Sequence, residues 1–362
     1  MTTTASDLPT SWPQDLVDLV SLLKGLAPEE ADRLSRALAL GVTRHRLGPY
    51  LANLLRDRQV AERDHHLLAQ EGEAGIVAAL RQKAETRPAI EALRAAGCTP
   101  VLVKGWPLAE RLYGSAAIRH SKDIDLHVTE DHLSQAVEAL MDLGYLPIAG
   151  HAARVPLARA GDRRLTDETN DIAFLAPDGR HVELHWRLTH LHGWVALEAI
   201  PEAIIEHPMD GGGTVEILSD RAALIYLSVH GQLHMWGRLK WLLDIAKLLA
   251  MQPSEVWLED LAIANQLGAG RAVRIAVGLA HRVLGAPLPV GWPAPNWLER
   301  RAMDHFAHLI ASPGGAPGAT KARIHYHLCV MAYGEGLTQR LASPRYAIAR
   351  NLKIWLASRG TA

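Results

Sequence analysis

Residues 123–128, Asp-Ile-Asp-Leu-His-Val, alternate between polar and apolar side chains. Successive side chains leave a β-strand on opposite sides, so this alternation is what a half-buried strand requires. In that reading Ile124, Leu126 and Val128 face a core, and Asp123 and Asp125 project together from the other face. Two adjacent carboxylates repel unless a cation stands between them. The pair therefore points to a metal site at the strand's exposed end; the plainer alternative is a solvated outer face.

The flanking sequence decides what kind of sheet could hold such a strand. Residues 88–105, PAIEALRAAGCTPVLVKG, read as a helix, a glycine stop, and a β-branched run ending in Lys-Gly. WPLAERLYG then resumes as a short helix with proline near its start. After the DIDLHV strand come a helix, DHLSQAVEALMDLGY, and a strand around 146–148. NDIAFLAPDGRHVELHWRL reads as a hairpin whose two apolar runs are joined by PDGR. This mixture predicts an α+β core: a mixed sheet with flanking helices. Helical spacing over roughly 14–85 and again from 219 onward adds helical regions on both sides. The expected division is an N-terminal helical region (1–87), a core (88–218) and a C-terminal helical domain (219–362). The aperiodic stretch 150–169 is expected to be a loop or lid, and DGGGT at 210–214 a turn or linker.

Composition removes several classes. A net charge of −1 gives no basic field to draw in nucleic acid, which disfavours a nucleic-acid acceptor. Two cysteines, Cys98 and Cys329, exclude a disulfide framework and a cysteine zinc cluster, and fit a reducing cytoplasm. The N-terminal stretch lacks the basic start and apolar core of a secretion signal, and no run approaches the roughly 18 apolar residues of a membrane span. The expectation is a cytoplasmic protein that does not enter the membrane.

A second strand, HVELHW, puts Glu183 and His185 on one face and Val182, Leu184 and Trp186 on the other. If the two strands are neighbours, Asp123, Asp125 and Glu183 converge. Three carboxylates suit Mg²⁺, with Mn²⁺ as the alternative ion, and leave room for phosphate oxygens. This reading requires Glu183 to turn toward the aspartates, and a salt bridge filling the space where ions should sit would end it. Lys104 and Gly105 end one strand before a helix, where free N–H groups favour an anion. Arg119 and Ser121 stand just before the aspartates, and arginine grips phosphate through paired hydrogen bonds.

The combination VLVKG, IRHSKDIDLHV and VELHW, followed by HGQLHMWGRLKWLLDIAKLL at 230–249, resembles a bacterial nucleotidyltransferase-like family of the DNA polymerase beta superfamily. The resemblance covers roughly residues 90–250. It implies Mg²⁺ on Asp123 and Asp125, Glu183 as third ligand or base, and nucleoside monophosphate transfer with release of pyrophosphate. The usual glycine-serine turn is Gly105-Trp106 in this chain, so Lys104 or Ser121 must hold the distal phosphates.

Read as one helix, residues 230–249 place His230, His234, Trp241 and Asp244 in one stripe with Arg238 at its edge. The stripe is first a packing surface. Its functional reading has Trp241 and Arg238 contacting nucleotide, with His185 as a further contact or an orienter of Glu183. A zinc site on His230, His234 and Asp244 ranks last. From Thr320 onward seven basic residues face one acidic residue, and 345–360 read as a basic amphipathic helix. The leading expectation is an NTP-using nucleotidyltransferase, ATP first, acting on a small molecule, peptide or protein. A fold-retaining binding module and a kinase-like γ-phosphate transfer are the alternatives.

Overall fold

The structure is a computed structural model that describes Pro9 and residues 11–189 and 194–312. The basic stretch at 345–360 and Cys329 lie outside the described residues. The fold is α+β, and the described residues fall into two compact units. One lies within Pro13–His190 and Ile200–Ala223; the other lies within Met1–Trp12, Leu191–Ala199 and Leu224–Ala362.

The first unit opens with helices α1 (Gln14–Leu23), α2 (Ala31–Thr43), α3 (Gly48–Leu54) and the 34-residue α4 (Glu62–Ala95). There follow β1 (Val101–Leu102), α5 (Trp106–Tyr113), β2 (Asp123–His127), α6 (Leu133–Asp142) and β3 (Leu146–Pro147). Next come α7 (Arg154–Arg159), α8 (Arg163–Glu168), β4 (Asp171–Leu175), β5 (His181–His185), β6 (Ile204–Pro208) and β7 (Thr214–Leu218). The stretch expected as a loop at 150–169 thus holds two short helices. Val155, Ala158 and Leu165 explain it, because all three are buried in the core of the sheet.

The strands form one seven-stranded sheet in the order β3-β4-β5-β2-β1-β7-β6. β2 runs parallel to β5 and β1 parallel to β7, while the remaining pairs are antiparallel. Local turns make the hairpins: Gly179, at φ 86°, closes the β4–β5 turn, and the glycines at 211–213 close β6–β7. One face of the sheet is apolar. Ile124, Leu126, Val128, Val182, Leu184 and Trp186 are buried with Ala89, Ile90 and Leu93 of α4 and Ala136, Val137 and Leu140 of α6. Burying each large aliphatic of this set is worth about 1.5–3 kcal/mol, which fixes which way β2 and β5 face. The opposite face carries the polar alternates.

The second unit holds most of α9 (Asp220–Leu233), then α10 (Leu239–Leu249), α11 (Ser254–Gln266), α12 (Gly270–Leu284) and α13 (Trp297–Ala311). The single helix expected over 230–249 is broken. Met235 and Trp236 take φ values of 54° and 48° between α9 and α10. The buried Trp236 ring folds back onto Gly231, where a Cβ would stand 2.4 Å from it. Packing of one indole against one glycine therefore overrides a continuous helical pattern.

Candidate metal centre on the polar face of the sheet

Strand register places the acidic residues. β2 and β5 are neighbours, with Asp123 opposite His181, Asp125 opposite Glu183 and His127 opposite His185. Glu183 therefore does turn toward the aspartate face. Among the described residues, Asp125, Glu183 and His185 offer ligand atoms that all lie within 4.8 Å of one another. Asp125 is almost completely buried, and its Oδ2 accepts no hydrogen bond.

The chain's own cations occupy the gap. Lys104 Nζ donates to Asp125 Oδ1 at 3.0 Å. His185 Nε2 lies 3.3 Å from Asp125 Oδ1 and 3.4 Å from Glu183 Oε2. Burial alone would lower the His185 pKa, but hydrogen bonds to Asp125 and Glu183 outweigh it and push it up to about 9. Burial would likewise raise Asp125, yet the Lys104 charge and His185 hold its carboxyl far below the usual range. The hydrogen bond from His185 keeps Glu183 low as well. Asp123 behaves differently: burial, then repulsion from Glu183 and Asp125, raise it. Opposite His185 on β2, His127 is pushed down to about 4 by burial and by the neighbouring imidazolium.

Of the two conditions on the metal reading, the one on Glu183 is met, whereas the adverse one is present: Lys104 and His185 pair with the carboxylates where an ion would sit. Asp125 is buried and Glu183 partly so, and the positive charge supplied between them keeps both carboxylates ionised. The donor set fits a divalent cation in kind, since the Asp125 and Glu183 oxygens converge and Asp125 Oδ2 is buried and unsatisfied. The converging group, however, holds His185 where the sequence led to expect Asp123, which stands two residues from Asp125 on the same face. The charge that Lys104 and His185 provide is the charge such an ion would replace.

The neighbouring candidates are arranged around this centre. Lys104 follows β1, where Val103 N–H bonds to the Asp125 carbonyl at 3.1 Å. Gly105 takes φ 97°, a conformation that side-chain-bearing residues avoid, and turns the chain into α5. Trp106, in place of the hydroxyl residue, is buried and donates its indole N–H to Thr86 Oγ1 at 3.2 Å. Gln82 of α4 donates to Ser121 Oγ at 2.9 Å and to the Asp123 carbonyl at 3.0 Å. Arg119 is buried.

A family model described as uncharacterised nucleotidyltransferase matches residues 31–285. The chain belongs to this nucleotidyltransferase family. No curated protein and no solved structure matches it.

Within this nucleotidyltransferase-family chain, Arg238 and Trp241 belong to the second unit. The Arg238 guanidinium lies 5.6 Å from the Trp241 ring centroid, and that ring stacks on His234 at 5.1 Å. The His230 and His234 rings have centroids 4.4 Å apart, as their i,i+4 spacing provides, and His234 N–H still bonds to the His230 carbonyl at 3.0 Å. His230, His234 and Asp244 do not form a metal-ligand group among the described residues. No described helix is long and apolar enough to cross a membrane. Sequence reasoning gave no weight to Gln82, His151 or Arg154. Each reaches the polar face or its rim only through long-range contact, and no local motif marks it.

Proposed function

We propose that the protein is a divalent-metal-dependent nucleotidyltransferase that moves a nucleoside monophosphate from an NTP, ATP first, to a hydroxyl, carboxylate or phosphate of an acceptor and releases pyrophosphate. The observation that carries this reading is the register pairing of Asp125 with Glu183 around a buried, unsatisfied carboxylate oxygen, in a chain of the nucleotidyltransferase family. Asp123, Asp125 and Glu183 would hold Mg²⁺ or Mn²⁺. Bound there, the ion supplies the positive charge that a triphosphate needs in the transition state.

The chain's own groups do the rest. His185 orients Glu183 and Asp125 through its Nε2. Lys104 brings a cation to the phosphate side, on a backbone that Gly105 bends into the α5 N-terminus. Ser121 and Arg119 lie on the segment leading into β2 and are candidates for the distal phosphates. Glu183 acts as ligand or as the base that takes the acceptor's proton.

A second reading, a binding module without turnover, is favoured by the same ion pairs: Lys104 and His185 already neutralise the carboxylates. One assay separates them. The protein is incubated with α-³²P- or γ-³²P-labelled NTPs, Mg²⁺ or Mn²⁺ and cell extract, beside an Asp123→Ala/Asp125→Ala control. Transfer of α label that the control lacks supports the nucleotidyltransferase, and transfer of γ label alone indicates a kinase. Equal signals in both proteins favour the binding module.

A further inference from the structure

The segment after β3 carries two side chains that the reading above leaves unused, His151 and Arg154. Ile148 N–H still bonds to the Ala173 carbonyl at 2.9 Å, after which the chain leaves the sheet. The Ala173 amide is then met by a side chain: it donates to His151 Nδ1 at 2.8 Å. A backbone amide can only donate, so Nδ1 is an acceptor and the ring proton stands on Nε2. Arg154 Nη1, 3.2 Å from the same nitrogen, presents a second donor to it. Burial, then the Arg154 charge, lower the His151 pKa, which agrees with a neutral ring.

Arg154 is held just as firmly. Its Nη1 donates to the Asp171 carbonyl at 2.7 Å and lies 3.5 Å from Asp171 Oδ1. That contact fixes the guanidinium, and among the described residues none accepts from its Nε or Nη2. His151 Nε2–H likewise has no acceptor among them. Both side chains keep about a quarter of their surface exposed, 24% and 26%. Their position is specific, because Ala173 is the register partner of Glu183 on the adjacent strand. Two fixed donors thus stand one strand away from the acidic centre.

We propose that His151 Nε2–H and the Arg154 guanidinium form an oxyanion subsite beside Glu183 that binds a phosphate or carboxylate oxygen of a substrate. Its place in catalysis rests on the transferase reading; its existence does not. The oxyanion belongs either to the nucleotide or to the acceptor.

The test titrates wild type, His151→Phe, His151→Gln and Arg154→Gln with inorganic phosphate, acetate, pyrophosphate and Mg-ATP. The His151 ring is followed by NMR and affinity by calorimetry. At least one oxyanion should move the ring, and its affinity should fall about tenfold in His151→Phe and Arg154→Gln, the size of one charge-assisted hydrogen bond. His151→Gln, whose carboxamide can still donate, should retain most of it. Weakening confined to Mg-ATP and pyrophosphate assigns the subsite to the nucleotide; weakening confined to phosphate or acetate assigns it to the acceptor. A ring that responds to no oxyanion, or variants that stay within about twofold of wild type, overturns the proposal. Should His151→Phe fail to fold, the wild-type ring titration and Arg154→Gln still decide. Transfer of α label without a ring response removes the subsite and leaves the transferase reading; the reverse result removes the transferase and leaves the subsite.

Discussion

Stripped of divalent ions with EDTA, the protein should be most stable near pH 6.5 and lose stability on both sides, through two histidines that are register partners on β2 and β5. On the alkaline side the group is His185, whose folded pKa of about 9 exceeds the unfolded value of about 6.5. The folded state therefore binds more protons between these values, and its stability falls as pH rises through that window. At about 1.4 kcal/mol per pH unit, the full loss is about 3 kcal/mol. On the acid side the main group is His127, held at about 4, and His151, lowered by burial and by Arg154, adds in the same direction. There the unfolded chain binds the extra proton, so stability falls as pH drops from about 6.5 toward 4, again by about 3 kcal/mol for His127. The low pKa values of Asp125 and Glu183 place their own effect at the acid end of this range or below it. The assay is urea unfolding from pH 5 to 9, with midpoints and slopes fitted at each pH. His185→Gln should flatten the alkaline limb, and His127→Asn should shrink the acid limb to the part that His151 supplies. A wild-type profile that is level from pH 6.5 to 9, or an alkaline limb that persists in His185→Gln, would refute the idea that a buried imidazolium bridges the two carboxylates.

Other substitutions probe the frame around the centre. Gly105→Ala should cost about 1–2 kcal/mol in urea unfolding, because φ 97° is strained for any residue with a Cβ even though the space there is open. Gly231→Ala should destabilise by about 1–3 kcal/mol and shift the near-ultraviolet signal of tryptophan, since the new Cβ would meet the Trp236 ring at 2.4 Å. Asn296→Ala removes the capping box it forms with Glu299 at the start of α13 and should lower stability by about 1 kcal/mol in urea unfolding.

The period-two alternation at 123–128 and 181–186 determined by itself that Asp123 and Asp125, and Glu183 and His185, leave their strands on the polar side, because the pleat admits no other assignment once the apolar alternates are buried. PDGR likewise marked the β4–β5 turn through its glycine at positive φ. Which strands become neighbours is a different kind of fact. About sixty residues separate Asp125 from Glu183, and no local preference specifies that β2 pairs with β5 in parallel or that these two residues fall opposite each other. That pairing follows from burying one continuous apolar face against α4 and α6. The same long-range packing turned an aperiodic stretch into α7 and α8, broke the 230–249 helix at Trp236, and set His151 on the Ala173 amide. It also decided the charges: in sequence Lys104 is an ordinary cation and His185 an ordinary, largely neutral imidazole, and only their hydrogen bonds to Asp125 and Glu183 make them counter-ions.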